Sequence, residues 1–346
     1  MIDSDILLQV LDAGERRRAE RRNFLRSAGV ASLAVGGASL LSACGGSGST
    51  STDPGATATA TPTPSPSSTS TLQDQDTLNF ALNLEYLEAQ FYSYAVTGAG
   101  LPNALIAKGD GNQTVQGTVT GGRKVNFTDP IVQQYAVEIA ADEVAHVAFL
   151  RSALGAAAVA MPSITIDGGA NGAFSAAARA AGIATTNGVV DRVNGTFDPY
   201  ASDENFLLGA FIFEDVGVTA YKGAAQTINT TLLLDAAAGI LATEAYHAGL
   251  IRTVLYSKGL ATPSLRVNAG LISDARDSLD GTSDIDQGIT GTATTSNLVP
   301  VDANGLVYGR TAGQVLNVVY LNKNAVVGGG FFPNGLNGNI RTSAAN

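Results

Sequence analysis

The sequence predicts an all-α fold, a four-helix bundle whose second and fourth helices each aim a carboxylate and an imidazole at the same point. Three observations carry this. The 346-residue chain has only two histidines, and each follows a glutamate by three residues, in Glu143-Val144-Ala145-His146 and Glu244-Ala245-Tyr246-His247. Positions i and i+3 lie on one face of a helix, so each Glu-x-x-His offers two donor groups to one side. Two further segments of helical apolar period place Glu85 and Glu214 where the remaining two helices of such a bundle would contribute one glutamate each.

Fold reasoning starts only after the N-terminal segment. Arg21-Arg22-Asn23-Phe24-Leu25-Arg26 resembles a twin-arginine export motif, and the uncharged run from Ala28 to Ala43 is too weakly hydrophobic for a stable membrane span. Leu41-Ser42-Ala43-Cys44 resembles a lipobox, so Cys44, the chain's one cysteine, is the expected lipidation site and no intramolecular disulfide is available. Residues 1–43 are thus expected to be an export signal, and residues 44–75, rich in Gly, Ser, Thr and Pro, a flexible tether. These features predict an exported protein of the periplasm or cell envelope, held to the membrane by its lipid. Removing the signal leaves 14 basic against 25 acidic residues, a net charge of −11 that argues against nucleic acid as a partner.

The bundle is expected over residues 76–259. The first helix, from about Leu78 to Val96, has a core stripe of Phe80, Leu84, Leu87, Phe91 and Tyr94, beside which run Ala81, Glu85, Glu88 and Tyr92. Asp129 or Thr128 suits the cap of the second helix and Pro130 its first turn; Ile131, Tyr135, Ile139, Glu143, His146 and Leu150 share a face, and Gly155 ends it. The third helix follows Ser202-Asp203-Glu204 and carries Leu207, Ala210, Glu214, Gly217 and Tyr221 on one side. The fourth runs from Thr231 to Lys258, stops at Gly259, and aligns Ala237, Ile240, Glu244, His247, Ile251 and Val254.

Register supplies a separate test. Glu214 and Glu244 lie symmetrically about Asn229, in the polar turn expected between the third and fourth helices, and so fall at one level. Glu85 lies 12 residues before Thr97 and Glu143 lies 14 after Asp129, again level within the uncertainty of helix ends. Glu88 lies nine before Thr97, which ranks Glu85 first as the ligand.

Between the second and third helices, residues 155–202 form a long crossover with a short helical stretch near Ala173–Ala180. Between the first and second, Thr114–Thr120 and Arg123–Phe127 flank Gly121-Gly122 and read as an inserted β-hairpin. Residues 260–346, rich in Gly, Asn, Asp, Thr and Ser, read as an irregular appendage packed on the bundle, with one helical stretch at Thr311–Tyr320. The glycine-rich Gly328–Gly335 segment lacks the Gly-Lys-Ser/Thr and strand-to-helix context of a phosphate loop.

The segments Asn79–Tyr92, Ala141–His146 and Glu244–Ala248, with the late Val301–Gly305 and Gly329–Gly335, resemble the bacterial ferritin-like family related to plant desiccation-related proteins. The likeness runs from about residue 76 to the end and implies the ferritin-like fold. The expected ligands are Glu85, Glu143, His146, Glu214, Glu244 and His247, with Glu88, Glu138, Tyr92 and Tyr135 as alternatives or supporting groups. Asp142 and Asp215 adjoin ligands in sequence and point about 100° away on a helix, as surface groups or hydrogen-bond partners of the ligands. Four carboxylates and two imidazoles suit two iron ions, or alternatively two manganese ions. The small-molecule partner expected is dioxygen or peroxide, in a ferroxidase, oxidase or peroxide-detoxifying role. The competing expectation is a non-catalytic stress or envelope protein that keeps its metal for structural reasons.

Overall fold

A computed structural model describes residues 68–112 and 115–346. The expected export signal and residues 44–67 of the expected tether, Cys44 among them, lie outside the described residues. Eight α-helices are described: α1 (Ser68–Thr97), α2 (Asn103–Ile106), α3 (Pro130–Leu154), α4 (Ala173–Ala181), α5 (Asp203–Ala224), α6 (Thr231–Lys258), α7 (Ser264–Asp280) and α8 (Ala312–Val319). No helix among them is long and apolar enough to cross a membrane.

The bundle is α1, α3, α5 and α6, and polar groups at the helix ends set their directions. At one end the Asp74 carboxylate accepts from the backbone N–H groups of Asn229 (2.7 Å) and Thr230 (3.0 Å), which fixes the start of α1 to the turn between α5 and α6. At the other end Asp203, the first residue of α5, accepts from the N–H groups of Thr128 and Asp129, both at 3.1 Å from Oδ2. There too Lys258, closing α6, lies 3.0 Å from Asp129 and from Glu204. Hence α3 and α5 run the same way, α1 and α6 the opposite way, and two parallel helices that follow each other in the bundle require the long connection that residues 155–202 supply.

Local chemistry explains the helix ends. Asp129 caps α3 by accepting from the Ile131 N–H, Pro130 fills the first turn, and Gly155 ends the helix at φ +55°. Ser202 caps α5 by accepting from the Asn205 N–H at 3.2 Å. The start of α1 falls ten residues before the expected Leu78, so residues 68–75, read as tether, are helical. Ile131 is 55% exposed, and Val132 and Ala136 occupy the core instead. In the first turn of α3 the buried side is thus one residue out of step with the expected stripe.

The inserted hairpin does not form. Gly121 and Gly122 turn the chain at φ +80° and +88°, but the segment after them is drawn to the bundle, where Val125 is buried and its N–H donates to the Ala95 carbonyl at 2.8 Å. The free edge of β1 (Val119–Gly121) pairs instead with β2 (Ile164–Ile166) from the crossover, in parallel, with Thr120 opposite Thr165. A two-residue hairpin does occur further on, where Asn187-Gly188 joins β3 (Thr185–Thr186) to β4 (Val189–Val190). Both turn residues have φ above zero, as this hairpin type demands.

The C-terminal region is more ordered than its composition suggests. α8 falls within the expected Thr311–Tyr320, but α7 was not foreseen, because it carries Asp274, Arg276, Asp277 and Asp280 in a polar stretch. Those charges have partners inside the protein. Arg276 donates to Asp215 of α5 (2.9 Å) and to the Phe211 carbonyl (2.6 Å), and pairs with Asp286. Arg310 donates to Asp280 and to Thr219, at 2.6 and 2.7 Å, and pairs with Asp286. Arg252 of α6 donates to Asp215 at 2.7 Å. Phe331 packs edge-on against Phe213 of α5, with ring centres 4.9 Å apart. Asn337 and Asn83 of α1 exchange two hydrogen bonds, at 2.9 and 3.0 Å. The last ninety or so residues are therefore bound into the bundle rather than laid on it.

Candidate metal centre

All six expected ligands meet inside the bundle, each 8% exposed or less. Glu85, Glu143, His146 and Glu244 form one group, and Glu214, Glu244 and His247 a second, with the candidate donor atoms of each group within 4.8 Å of one another. His146 Nδ1 lies 3.2 Å from Glu85, 3.4 Å from Glu143 and 3.5 Å from Glu244. His247 Nδ1 lies 3.0 Å from Glu143 and 3.6 Å from Glu214. Glu143 turns one oxygen toward each histidine and Glu244 belongs to both groups, so these two carboxylates bridge the halves of the site.

Neighbouring side chains orient this set. Tyr221 donates to Oε1 of Glu85 and Tyr92 to Oε1 of Glu214, which leaves Oε2 of each glutamate facing a histidine. Asp142 lies 3.4 Å from Nε2 of His247, so the Nδ1 edge of that ring is the one turned inward. Tyr92 is thus a hydrogen-bond partner of a candidate ligand. Tyr221, on the expected stripe of α5 but not singled out, plays the matching part; its spacing of seven from Glu214 was the available signal. Glu138 is exposed and Tyr135 half-buried, and neither joins the buried cluster. Glu88 is buried beside it, and Asp215 is turned away into the arginine network.

Gly217, one turn after Glu214, shows how closely the site is packed. A Cβ there would stand 2.3 Å from Oε2 of Glu244 and 3.5 Å from Oε1 of Glu88. A side chain there would displace the Glu244 carboxylate while leaving Glu88 at ordinary contact distance.

Electrostatically this is a carboxylate-rich site with no lysine or arginine among its members. Both oxygens of Glu143, both of Glu244, Oε2 of Glu214 and Nδ1 of His247 are buried without a hydrogen-bond partner. The 3.0 Å approach of His247 to Glu143 is a charge contact without hydrogen-bond geometry. Orphaned acceptors of this kind are costly to bury, and their convergence is what a cation would relieve. Four carboxylates and two imidazoles balance two divalent ions, so the residues fit a metal pair. A third acidic group, Asp277, Asp280 and Asp286, differs in kind, because Asp280 and Asp286 are already paired with Arg276 and Arg310.

Without metal the site holds protons instead. Burial pushes Glu85 up to about 7 and Glu214 up to about 8. It also drives Glu88 and Glu244 well above the carboxylate range, and the charge of Glu143 adds to this. Burial acts on Glu143 too, but His146 and His247 hold its carboxyl below the usual range. Burial disfavours the charged imidazoles, yet Glu85 and Glu143 keep His146 well above its ordinary value, and the hydrogen bond to Asp142 with the close charge of Glu143 brings His247 to about 10.

A pH dependence follows. The raised glutamates and histidines make the metal-free fold bind more protons than the unfolded chain at every pH from about 4.5 to about 10, and stability falls with pH wherever that holds. Chelator-treated protein is therefore expected to melt at a lower temperature at pH 8.5 than at pH 5.5. A melting temperature that rises across that interval in calorimetry would contradict this account of the site.

The model of the ferritin-like domain matches residues 73–257. The chain belongs to the ferritin-like domain family. This ferritin-like chain is 27% identical over 284 residues to ferritin-like catalase Nec2 of Nesocodon mauritianus, a match spanning 77% of this chain and 84% of that protein. It is also 28% identical over 187 residues to desiccation-related protein PCC13-62 of Craterostigma plantagineum, spanning 54% of each. No solved structure matches it. The mostly helical fold and the buried carboxylate–histidine cluster agree with the family.

Proposed function

We propose that this protein is an exported, lipid-anchored di-metal enzyme that disproportionates hydrogen peroxide, with Glu85, Glu143, His146, Glu214, Glu244 and His247 holding two iron or two manganese ions. The observation that carries the reading is the pair of buried carboxylates, Glu143 and Glu244, whose four oxygens have no hydrogen-bond partner and which both face two histidine-bearing half-sites. The likeness to a protein named a catalase supports peroxide as the substrate. A bound metal pair supplies the two-electron reservoir that the reaction requires, two H2O2 giving two H2O and one O2. The chain's own residues hold and aim the site: Tyr92 and Tyr221 fix the outer carboxylates, and Asp142 sets the direction of His247.

Two readouts test this together. Mass spectrometry on protein from its native envelope is expected to find about two metals per chain, and that protein is expected to evolve dioxygen when peroxide is added. Metal-loaded protein that instead consumes dioxygen on addition of ferrous iron, with no release from peroxide, would point to a ferroxidase. The likeness to a desiccation-related protein favours a second reading, a non-catalytic envelope protein with a structural metal. Loss of fold on chelation with no turnover of either oxidant would select it.

A further inference from the structure

The six candidate ligands are not equally deep. The side chains of Glu85, Glu143, Glu214 and Glu244 are 2% exposed or less, that of His247 3% and that of His146 10%. Both imidazoles come from α3 and α6, with ring centres 6.2 Å apart, so the site comes nearest to solvent on its histidine side. The groups that hold the ligands differ in the same way. Tyr92 and Tyr221, which donate to Glu214 and Glu85, are buried, whereas Asp142, beside His247, is 38% exposed. His247 spans the wall there: its Nε2 lies 3.4 Å from Asp142 and its Nδ1 3.0 Å from Glu143. One imidazole therefore stands between a carboxylate in contact with solvent and the orphaned oxygens of a bridging glutamate.

Glu138, one turn before Asp142 on α3, is exposed as well, so this surface presents two acidic groups on one helix face. Negative charge at the surface raises the local concentration of divalent cations and speeds their arrival. The torsion that turns an imidazole about its bond to Cβ is soft, with broad wells, which makes a ring the most easily displaced kind of wall. We propose that divalent metal ions enter the centre here, captured from solvent by Asp142 and admitted past the ring of His247. Asp142 then has a task beyond aiming that histidine. The inference rests on the di-metal reading, since it concerns how that site is filled.

Cobalt(II) is the probe, because its visible absorption changes as imidazole and carboxylate replace water around it. Chelator-treated full-length protein mixed with cobalt(II) gives the uptake rate, and loaded protein mixed with excess chelator gives the release rate. Asp142→Asn keeps an oxygen for Nε2 of His247 but loses the charge. It is expected to slow uptake and release alike, by about tenfold, with the final metal content and the affinity unchanged. Asp235→Asn removes a charge of the same sign from the exposed start of α6 and is expected to load at the wild-type rate. Added salt is expected to slow the wild type more than Asp142→Asn. An Asp142→Asn protein that loads as fast as the wild type overturns the proposal. So does one that loses affinity through faster release while its uptake is unchanged, which is what a residue that only aims His247 would give. Wild-type protein that takes up no cobalt(II) and carries no metal from its native envelope would sink the di-metal reading and the entry port together, whereas equal rates in two proteins that both fill would sink the port alone.

Discussion

A Glu143→Ala, Glu244→Ala protein is expected to carry no metal where the wild type carries about two ions per chain. These two carboxylates supply four of the six orphaned buried atoms of the site and are the groups that join its halves. Without them Glu85 and His146 remain on one side and Glu214 and His247 on the other, two donors each, too few to hold an ion against water. The expected change in stability has an unusual sign. Metal bound at a thousand times its dissociation constant stabilises the wild type by about 4 kcal/mol, on the order of 10 °C in melting temperature for a domain of this size. The loaded wild type should therefore lose about that much on chelation, whereas the variant should not respond to chelator. In the metal-free state the single variant Glu244→Ala should melt at or above the wild type, because one of five clustered buried carboxylates is gone while Glu143 still faces both histidines. Retention of two metals by the double variant would show that the bridging assignment is wrong.

Arg310→Met is expected to destabilise the protein by about 3–5 kcal/mol, the usual penalty for leaving a buried charge without its partner. Arg310 is fully buried and is the partner of Asp280, whose other oxygen has none. Burial already pushes the Asp280 carboxyl above its ordinary range despite the opposing pull of Arg310, so its loss leaves a group that must be neutralised or exposed. Asp286 would fare better, because Arg276 still contacts it. The double variant Arg310→Met, Asp280→Leu should regain most of the loss, since removing both partners of a buried pair is far less damaging than removing one. Denaturant titration of the two proteins decides the matter: a single variant within half a kcal/mol of wild type would mean the pair is not the clamp its burial suggests.

The legibility of this protein follows from where its chemistry is local. Glu-x-x-His works through a spacing within one helix, so the donor set could be read before any packing was known, and Asp129, Pro130, Ser202 and Gly155 marked helix ends because capping depends on adjacent residues. Partners distant in sequence were not readable. Gly121-Gly122 announced a turn correctly, but what β1 would pair with depended on a segment more than forty residues away. α7 hid behind its aspartates and arginine, whose partners sit on α5 and in the following loop. Glu88 showed its spacing but not its surroundings, since Val318, Val319 and Phe331, which line the same small pocket, come from the far end of the chain.

The Asn83–Asn337 exchange has a bearing on how the molecule is made. The region matched by the family ends at residue 257, yet the first bundle helix exchanges hydrogen bonds with a residue eighty positions beyond it, and α5 has Phe331 and three arginines against it. A chain whose first long helix is bonded to residue 337 cannot complete its fold until that residue has been made and has left the ribosome. A gene cut at the family boundary would therefore encode an unfinished protein rather than a smaller one.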